Sequence, residues 1–587
     1  MSVLLPLLVA TAALFAATGG GAALLHRLAP RLLSGPAGWL FALGVGVAMH
    51  AALASAAAAF GAMGILAAAT ILLLLGGGWL LRPAVPRPRP SGGWASALLP
   101  LLLLPAFIAA LAPPTDTDEL YQHLNLARRI AEGGALLGGF DTPDGSRPQL
   151  VHTTLASLYA LGGAEAARLW HLGLAGALLF GASELGDARF GAGRGLLAAV
   201  VLAGSYTFVH EAGLAYNDVP AALWLLLGVE AALGAEATAV GLFLGLAVAA
   251  KYTALPAAAA GGLVLLARAE GARARAFVTA AAAGLACLAP WWVRNAVSGL
   301  HPLFPYAGWP AIEGFRFMYA EKYGVGHTWT DALLLPLNVL FKSRIATFAF
   351  LGRLSWGWLG LGLGALWGAR RNRDARALLL VLLVGFVAWG STAQVLRFLL
   401  PLAGVAVLLG AASAGRMFTF ALLLMSLPDN VAPLVDEAEE QWPAVAGLED
   451  REAWRAREVP GWGAVAWLRD HAPPTERVAL LFAWQGYYVQ QPQVLGSVED
   501  HTPTRQWLAQ HGDASIRALR AQGVRWLLVG EVRFLRKSYT FLPEGDFRRQ
   551  FTEPAEQLRA LLARDAVLTY GARHWEVWHL DDRPPGE

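Results

Sequence analysis

The chain has 587 residues, of which 56% are hydrophobic and 15% charged, and its mean hydropathy is +0.48. This composition excludes an ordinary soluble protein of that length and predicts a polytopic α-helical membrane protein. The net charge of +3 is spread over short loops, which indicates no nucleic-acid partner, and the single cysteine excludes an intrachain disulfide or a multi-cysteine metal site.

About fourteen apolar segments are predicted to cross the bilayer. The first lacks the basic start of a signal peptide and is followed by further spans, so we interpret it as a span. Several segments are short for a full crossing, and one or two could be half-spans. The predicted spans are 3–18, 38–59, 61–81, 94–112, 164–181, 196–209, 219–233, 240–250, 253–267, 277–297, 346–368, 377–389, 396–412 and 418–427.

The basic short loops set the predicted orientation. Arginines cluster at 82–89, 268–275 and 370–373, and such loops stay cytoplasmic. A transmembrane domain therefore covers 1–427, with extracytoplasmic loops near 113–163 and 298–345. Residues 428–587 contain no further span and form a small extracytoplasmic α/β domain. Its strands are predicted at 478–484, 524–529 and 575–580, and its helices at 514–522 and 554–564.

The stretch from Pro113 to His123 places acidic residues where the chain leaves the membrane. The Pro-Pro pair ends the preceding helix, and Thr117 is predicted to cap the next one. Leu120, Leu124, Ala127 and Ala131 then share one helical face, which predicts an amphipathic helix on the membrane surface. The acids Asp116, Asp118 and Glu119 are candidate catalytic groups. The alternative is that they only favour the dipole at a helix start.

Further ionisable residues are predicted at the same outer face, where they are costly and line polar cavities. Asp218 follows one span, Lys251 separates two apolar helices, and Arg397 lies at the outer end of another. The alternatives are that Asp218 caps a helix and that Lys251 snorkels to the interface. The sequence contains no zinc spacing. Any metal would be a hard divalent cation on carboxylates, and no cofactor is otherwise required.

Taken together, a set of short motifs between Leu98 and Gly410 resembles membrane glycosyltransferases of the GT-C fold. The resemblance is to the class of protein O-mannosyltransferases and the lipid A aminoarabinose transferase, and it is greatest to uncharacterised bacterial members. The motifs are Asp118-Glu119-Leu120-Tyr121-Gln122-His123-Leu124, Ala131-Glu132-Gly133-Gly134, Ala215-Tyr216-Asn217-Asp218, Ala250-Lys251-Tyr252-Thr253, Trp291-Trp292-Val293-Arg294-Asn295 and Gln394-Val395-Leu396-Arg397-Phe398.

The resemblance implies transfer of a sugar from a polyprenyl-phosphate-linked donor to an extracytoplasmic glycan, lipid or protein. It implies an enzyme of the bacterial inner membrane. Asp118 and Glu119 correspond to the loop acids that act as base or acceptor anchor, with Asp116 a third candidate. Lys251 and Arg397 correspond to the phosphate side. Tyr121, His123, Asp218, Tyr252 and Arg294 complete the expected substrate-binding set.

Two other functions fit the same sequence. A transporter or flippase also has many spans with a few buried charges. However, transporters usually show internal repeats and midplane charges, whereas this chain shows no repeat and its charges lie at the outer edge. A non-catalytic scaffold is the third interpretation, and the convergence of carboxylates and cations argues against it.

Overall fold

The computed structural model describes residues 3–81, 83–89, 96–138, 143–304, 323–343, 349–413, 415–496, 502–530, 532, 543–572 and 574–580. Helices dominate the first three quarters of the chain. They are Leu4–Leu28, Pro30–Ser34, Gly38–Ala59, Ile65–Gly76, Leu98–Leu102, Leu104–Leu111, Leu124–Gly133, Leu150–Phe190, Arg194–Ala203, Tyr206–Ala212, Asp218–Leu233, Ala237–Ala250, Leu255–Arg268, Arg273–Val297, Trp329–Phe341, Gly357–Arg371, Arg373–Gly390, Ala403–Gly410 and Arg416–Ala446.

Only some of these helices are long and apolar enough to cross a membrane alone. Within the described residues there are four, Leu4–Leu28, Gly38–Ala59, Arg273–Val297 and Arg416–Ala446, or five if one bent pair is counted as a span. The total of about fourteen spans therefore stays a prediction. The predicted edges at Trp94 and Ala346, and residues 305–322 and 344–345 of the predicted 298–345 loop, lie outside the described residues.

Two breaks in long helices shape the region around the acidic loop. Gly163 adopts a φ of +74° inside helix Leu150–Phe190, a conformation that glycine tolerates best, and the kink separates the segment carrying His152 from the one carrying Arg168. The predicted span 196–209 is likewise broken, because helices Arg194–Ala203 and Tyr206–Ala212 meet at a bend of 76°. These breaks bring polar segments of several helices to one end of the helical core.

The C-terminal part contains a five-stranded mixed sheet. The strands are β1 (Arg477–Leu481), β2 (Gln493–Val494), β3 (Val524–Val529), β4 (Val567–Ala572) and β5 (Trp575–His579), in the order β2-β1-β3-β5-β4. Strands β2, β1 and β3 are parallel, and β5 is antiparallel to both β3 and β4. The helices are Arg451–Glu458, Trp462–His471, Thr502–His511, Ser515–Ala521, Glu544–Phe547 and Glu553–Asp565.

The predicted strands at 478–484, 524–529 and 575–580 are confirmed within a few residues, as are the helices predicted at 514–522 and 554–564. The sequence analysis missed β2, which has only two residues, and β4, an edge strand whose Val567 and Leu568 are exposed. Helix Arg416–Ala446 continues through Pro428 and leads directly into the C-terminal part.

Candidate active site

Asp116 fixes the start of the acidic loop helix. Its carboxylate accepts backbone N–H hydrogen bonds from Asp118 at 2.9 Å and Glu119 at 3.1 Å. The prediction that Thr117 caps this helix is therefore wrong. An aspartate carboxylate is at least as good an N-cap acceptor as a threonine hydroxyl, and the helix starts one residue earlier than expected. Asp116 also accepts the hydroxyl of Tyr216.

The loop helix is packed inside the protein, and its predicted apolar face holds for Leu124, Ala127 and Ala131 but not for Leu120. Residues Glu119–His123 form a π-helical turn, which shifts the register before the α-helix Leu124–Gly133 begins. As a result Leu120 packs in an apolar cluster of the C-terminal part, whereas Leu124 and Ala127 pack in the core of the transmembrane helices. The loop helix is thus buried between the two parts of the chain.

Glu119 is held by a buried arginine. Arg168 Nε lies 2.8 Å from Glu119 Oε1, a second guanidinium nitrogen contacts Oε2, and the Ala215 N–H donates to Oε1 at 2.7 Å. The Arg168 side chain also donates to the carbonyls of Ala109 at 3.0 Å and Ala112 at 2.8 Å. The side chains of Arg168 and Glu119 are 3% and 0% exposed. Burial raises the pKa of Glu119, and Arg168 opposes that shift.

Asp118 points to a different cation. Its carboxylate forms an ion pair with Arg397, whose guanidinium also donates to the Tyr216 hydroxyl at 3.3 Å and lies 5.3 Å from the centre of the Tyr216 ring. Burial raises the pKa of Asp118, while the charge of Arg397 lowers it and that of Asp116 raises it further. The two neighbouring acids of the loop therefore lie in different environments: Glu119 is fully buried, whereas Asp118 is partly exposed.

A second acid–base pair lies beside the first. The Lys251 ammonium bonds to the Asp218 carboxylate and lies 4.8 Å from the centre of the Phe398 ring, and the Arg397 guanidinium lies 5.4 Å from the same ring. Asn217, not Asp218, occupies the N-cap position of helix Asp218–Leu233, so the alternative that Asp218 is that cap is wrong. The Lys251 side chain is 14% exposed, and burial lowers its pKa while Asp218 opposes the shift.

The remaining predicted residues form the surroundings of these pairs. The His123 ring lies tilted against Tyr216 with ring centres 4.5 Å apart, and its Nδ1 lies 3.0 Å from Nε2 of His152. Burial and the neighbouring His152 hold the pKa of His123 well below its usual value. Tyr121 is buried and donates to Gln122 Oε1 at 3.3 Å.

Arg294 bonds to partners outside the acid–base pairs, and Tyr252 follows Lys251 directly in the chain. Arg294 donates to the Arg147 carbonyl at 3.2 Å and to Asn295 Oδ1 at 2.9 Å. Its guanidinium lies 5.4 Å from the ring centre of Trp291. Tyr252 is half-buried against the transmembrane core. The structure therefore places Arg294 with the loop around residue 147 rather than with Asp118.

A cavity of about 240 Å³ opens beside Asp116. Carboxylates and a histidine line it together with apolar side chains from helices Leu104–Leu111, Tyr206–Ala212 and Arg416–Ala446. The Glu437 carboxylate accepts the Tyr206 hydroxyl at 2.6 Å and lies 3.1 Å from His210 Nδ1. The polar lining residues are Thr115, Asp116, Arg168, His210, Glu437, Glu440, Gln441 and Glu458.

The carboxylates do not assemble a metal site. Across the residues that the structure describes, no three His, Cys, Asp or Glu side chains are placed so that they could hold a metal ion. Asp118, Glu119 and Asp218 are each bonded to a cationic side chain instead. The possible divalent cation stays a prediction.

The sequence analysis missed Arg168. It falls inside the predicted span 164–181, where an ionisable residue is costly and needs a partner. That isolated arginine was the available signal, but its partner Glu119 lies 49 residues away in sequence and no spacing pattern connects them.

Comparison with known proteins gives structural likeness only. No protein-family model matches the chain, and no curated protein matches it. Solved structures similar to it include ArnT from Cupriavidus metallidurans bound to undecaprenyl phosphate, with 16% identity, a TM-score of 0.49, and coverage of 83% of this chain and 98% of that one. The apo form of that ArnT is similar at 15% identity, a TM-score of 0.49, and coverage of 83% and 97%.

The Archaeoglobus fulgidus oligosaccharyltransferase tethered to an acceptor peptide is also similar, with 11% identity, a TM-score of 0.43, and coverage of 83% of this chain and 74% of that one. At such identities and scores the likeness does not bear on individual residues, substrate or activity.

Proposed function

We propose that the chain transfers a sugar from a polyprenyl-phosphate-linked donor to an extracytoplasmic acceptor, in the inner membrane of a bacterium. The observation that carries the proposal is the pairing of Asp118 with Arg397 beside the pair of Asp218 with Lys251. Such a cluster supplies a carboxylate for a hydroxyl nucleophile and cations for a leaving phosphate within one site. Both groups are what this reaction needs.

In the proposed step, the acceptor hydroxyl oxygen attacks the anomeric carbon of the sugar, and the bond between that carbon and the phosphate oxygen breaks. Asp118 takes the hydroxyl proton. Burial raises the pKa of Asp118, which makes its carboxylate a better base than an exposed aspartate. The departing polyprenyl phosphate carries the negative charge away, and Lys251 and Arg397 stabilise it.

The three loop acids have different environments and, we propose, different roles. Glu119 is fully buried and bonded to Arg168 through both oxygens, so it positions the loop rather than exchanging protons. Asp116 borders the cavity and caps the loop helix, so it anchors the acceptor two residues before the base. The acidic lining favours an acceptor that presents hydrogen-bond donors, as a hydroxyl-rich glycan does.

Purified protein should consume undecaprenyl-phosphate carrying a radiolabelled sugar and pass the label to an acceptor or to water. The same proteoliposomes should not accelerate exchange of a fluorescent lipid-linked probe between leaflets. Scrambling without cleavage of the bond between sugar and phosphate would favour the transporter or flippase alternative. That result would refute the proposal.

A further inference from the structure

The loop helix that carries Asp118 is covered on one side by a segment of the C-terminal part, residues 485–494. Leu120 is fully buried there, in a cluster with Val459, Trp462, Val489 and other apolar side chains of the C-terminal part. Leu120 therefore anchors the first turn of the loop helix in the core of a different part of the chain, two residues after Asp118. Burial of a leucine makes this a stabilising contact.

Hydrogen bonds extend the contact along the helix. Arg128 donates to the carbonyls of Gly486 at 3.3 Å and Val489 at 2.6 Å. Asn125 Nδ2 donates to Gln493 Oε1 at 3.2 Å. Gln493 is itself fixed, since its amide nitrogen donates to the same two carbonyls at 2.6 and 2.8 Å. Segment 485–494 thus bonds to the helix at Asn125 and at Arg128.

Tyr488 contacts the chain just before the loop helix begins. Its hydroxyl donates to the carbonyl of Pro114 at 2.6 Å. Pro114 follows Pro113 and precedes the cap residue Asp116, so this carbonyl lies at the point where the chain turns into the loop helix. The Tyr488 ring is held by edge contacts with Trp462 and Tyr487, whose ring centres each lie 4.9 Å away.

We infer that segment 485–494 of the C-terminal part is a positioning device for the proposed base, with Tyr488 as its principal positioning residue. Arg397 and Arg168 of the helical core form ion pairs with Asp118 and Glu119. On the side of the C-terminal part, Tyr488 bonds to Pro114, Arg128 of the helix bonds to segment 485–494, and Leu120 fills an apolar pocket. A base is effective only within hydrogen-bond reach of its proton, so a loop held from one side alone aims Asp118 less well. The inference rests on the proposed function, because that function makes Asp118 the base.

The test is hydrogen exchange of the full-length protein in nanodiscs, read at the amides of Asp118, Glu119 and Leu120. Tyr488→Phe removes one hydroxyl and keeps the packed ring. We expect these amides to exchange about three- to tenfold faster, as loss of one buried hydrogen bond produces, with no change in the exchange of strands β1 and β3. Arg128→Lys keeps the charge but loses the two-carbonyl geometry, and it should raise exchange in the same region.

Tyr570→Phe is the matched control, because Tyr570 lies on strand β4 and packs against Trp467 rather than against the loop. It should leave exchange of the three amides unchanged. Turnover of the lipid-linked sugar should fall several-fold in Tyr488→Phe with the donor KM unchanged, which a general loss of folding would not produce.

Wild-type exchange of the loop amides in both Tyr488→Phe and Arg128→Lys would overturn the inference, as would equal acceleration in Tyr570→Phe. Faster loop exchange with wild-type kcat would show that the contact exists but does not position the base, and would also overturn it. Absence of turnover in the wild-type protein would instead refute the proposed function, and the exchange measurements would still decide whether segment 485–494 holds the loop.

Discussion

The buried pair of Arg168 and Glu119 gives the most decisive stability prediction. Both side chains are almost inaccessible, and the same guanidinium satisfies the carbonyls of Ala109 and Ala112. Arg168→Met therefore leaves a buried carboxylate without its cation and two carbonyls without their donor. Breaking a buried pair from one side costs about 3–5 kcal/mol, because the remaining charge is uncompensated.

Removing both charges should cost much less than removing one. The variant Arg168→Met with Glu119→Gln leaves no buried charge, so we expect it to regain at least half of the stability lost by Arg168→Met alone. Arg376→Met is the control. Arg376 is exposed on helix Arg373–Gly390, and surface changes of this kind are usually worth less than about 0.5 kcal/mol.

The assay is unfolding of the purified proteins in one detergent, followed by intrinsic tryptophan fluorescence in a denaturant series for the three variants and the wild type. A loss below about 1 kcal/mol in Arg168→Met would refute the reasoning, since it falls outside the range for a broken buried pair. A double variant that regains none of the stability lost by Arg168→Met would also refute it, because side chains in contact should show coupling.

Three further predictions concern the acid–base pairs. Lys251→Met should weaken binding of undecaprenyl phosphate and slow turnover. Lys251→Arg should restore both only in part, because the two cations differ in donor geometry. Wild-type affinity in Lys251→Met, measured at fixed salt, would show that Lys251 is an interfacial anchor. The acidic limb of the kcat/KM pH profile should lie above the ordinary aspartate pKa of about 3.9, because burial raises the pKa of Asp118 and the base works only when ionised. Arg397→Gln removes the charge that lowers this pKa, so the limb should move to higher pH, and a limb that stays or moves to lower pH would contradict the assignment.

Local chemistry allowed much of the architecture to be predicted. Helix boundaries such as Gly38–Ala59 and strand β3 follow from apolar runs and their flanking residues, and the structure has them where the sequence predicts. The motifs also selected Asp118, Arg397, Asp218 and Lys251, and the structure joins these four residues in two ion pairs.

Tertiary contacts decided the rest. The helical face of Leu120 and Leu124 was predicted from a period of 3.6 residues, but the π-helical turn changes that period and sends the two side chains to different cores. No sequence pattern used here predicts a π-helical turn. The partners Arg168 and Tyr488 come from distant segments, so their contacts with Glu119 and Pro114 follow only from the folded chain.

The most direct measurement of the central claim is the rate of sugar transfer from undecaprenyl-phosphate-linked donor by Asp118→Asn, compared with the wild type in single turnover. The control is Asp436→Asn, an exposed aspartate on helix Arg416–Ala446. If Asp118 is the base, Asp118→Asn should transfer about 10²-fold more slowly while it inserts, folds and binds undecaprenyl phosphate like the wild type. Wild-type transfer by Asp118→Asn would contradict the account.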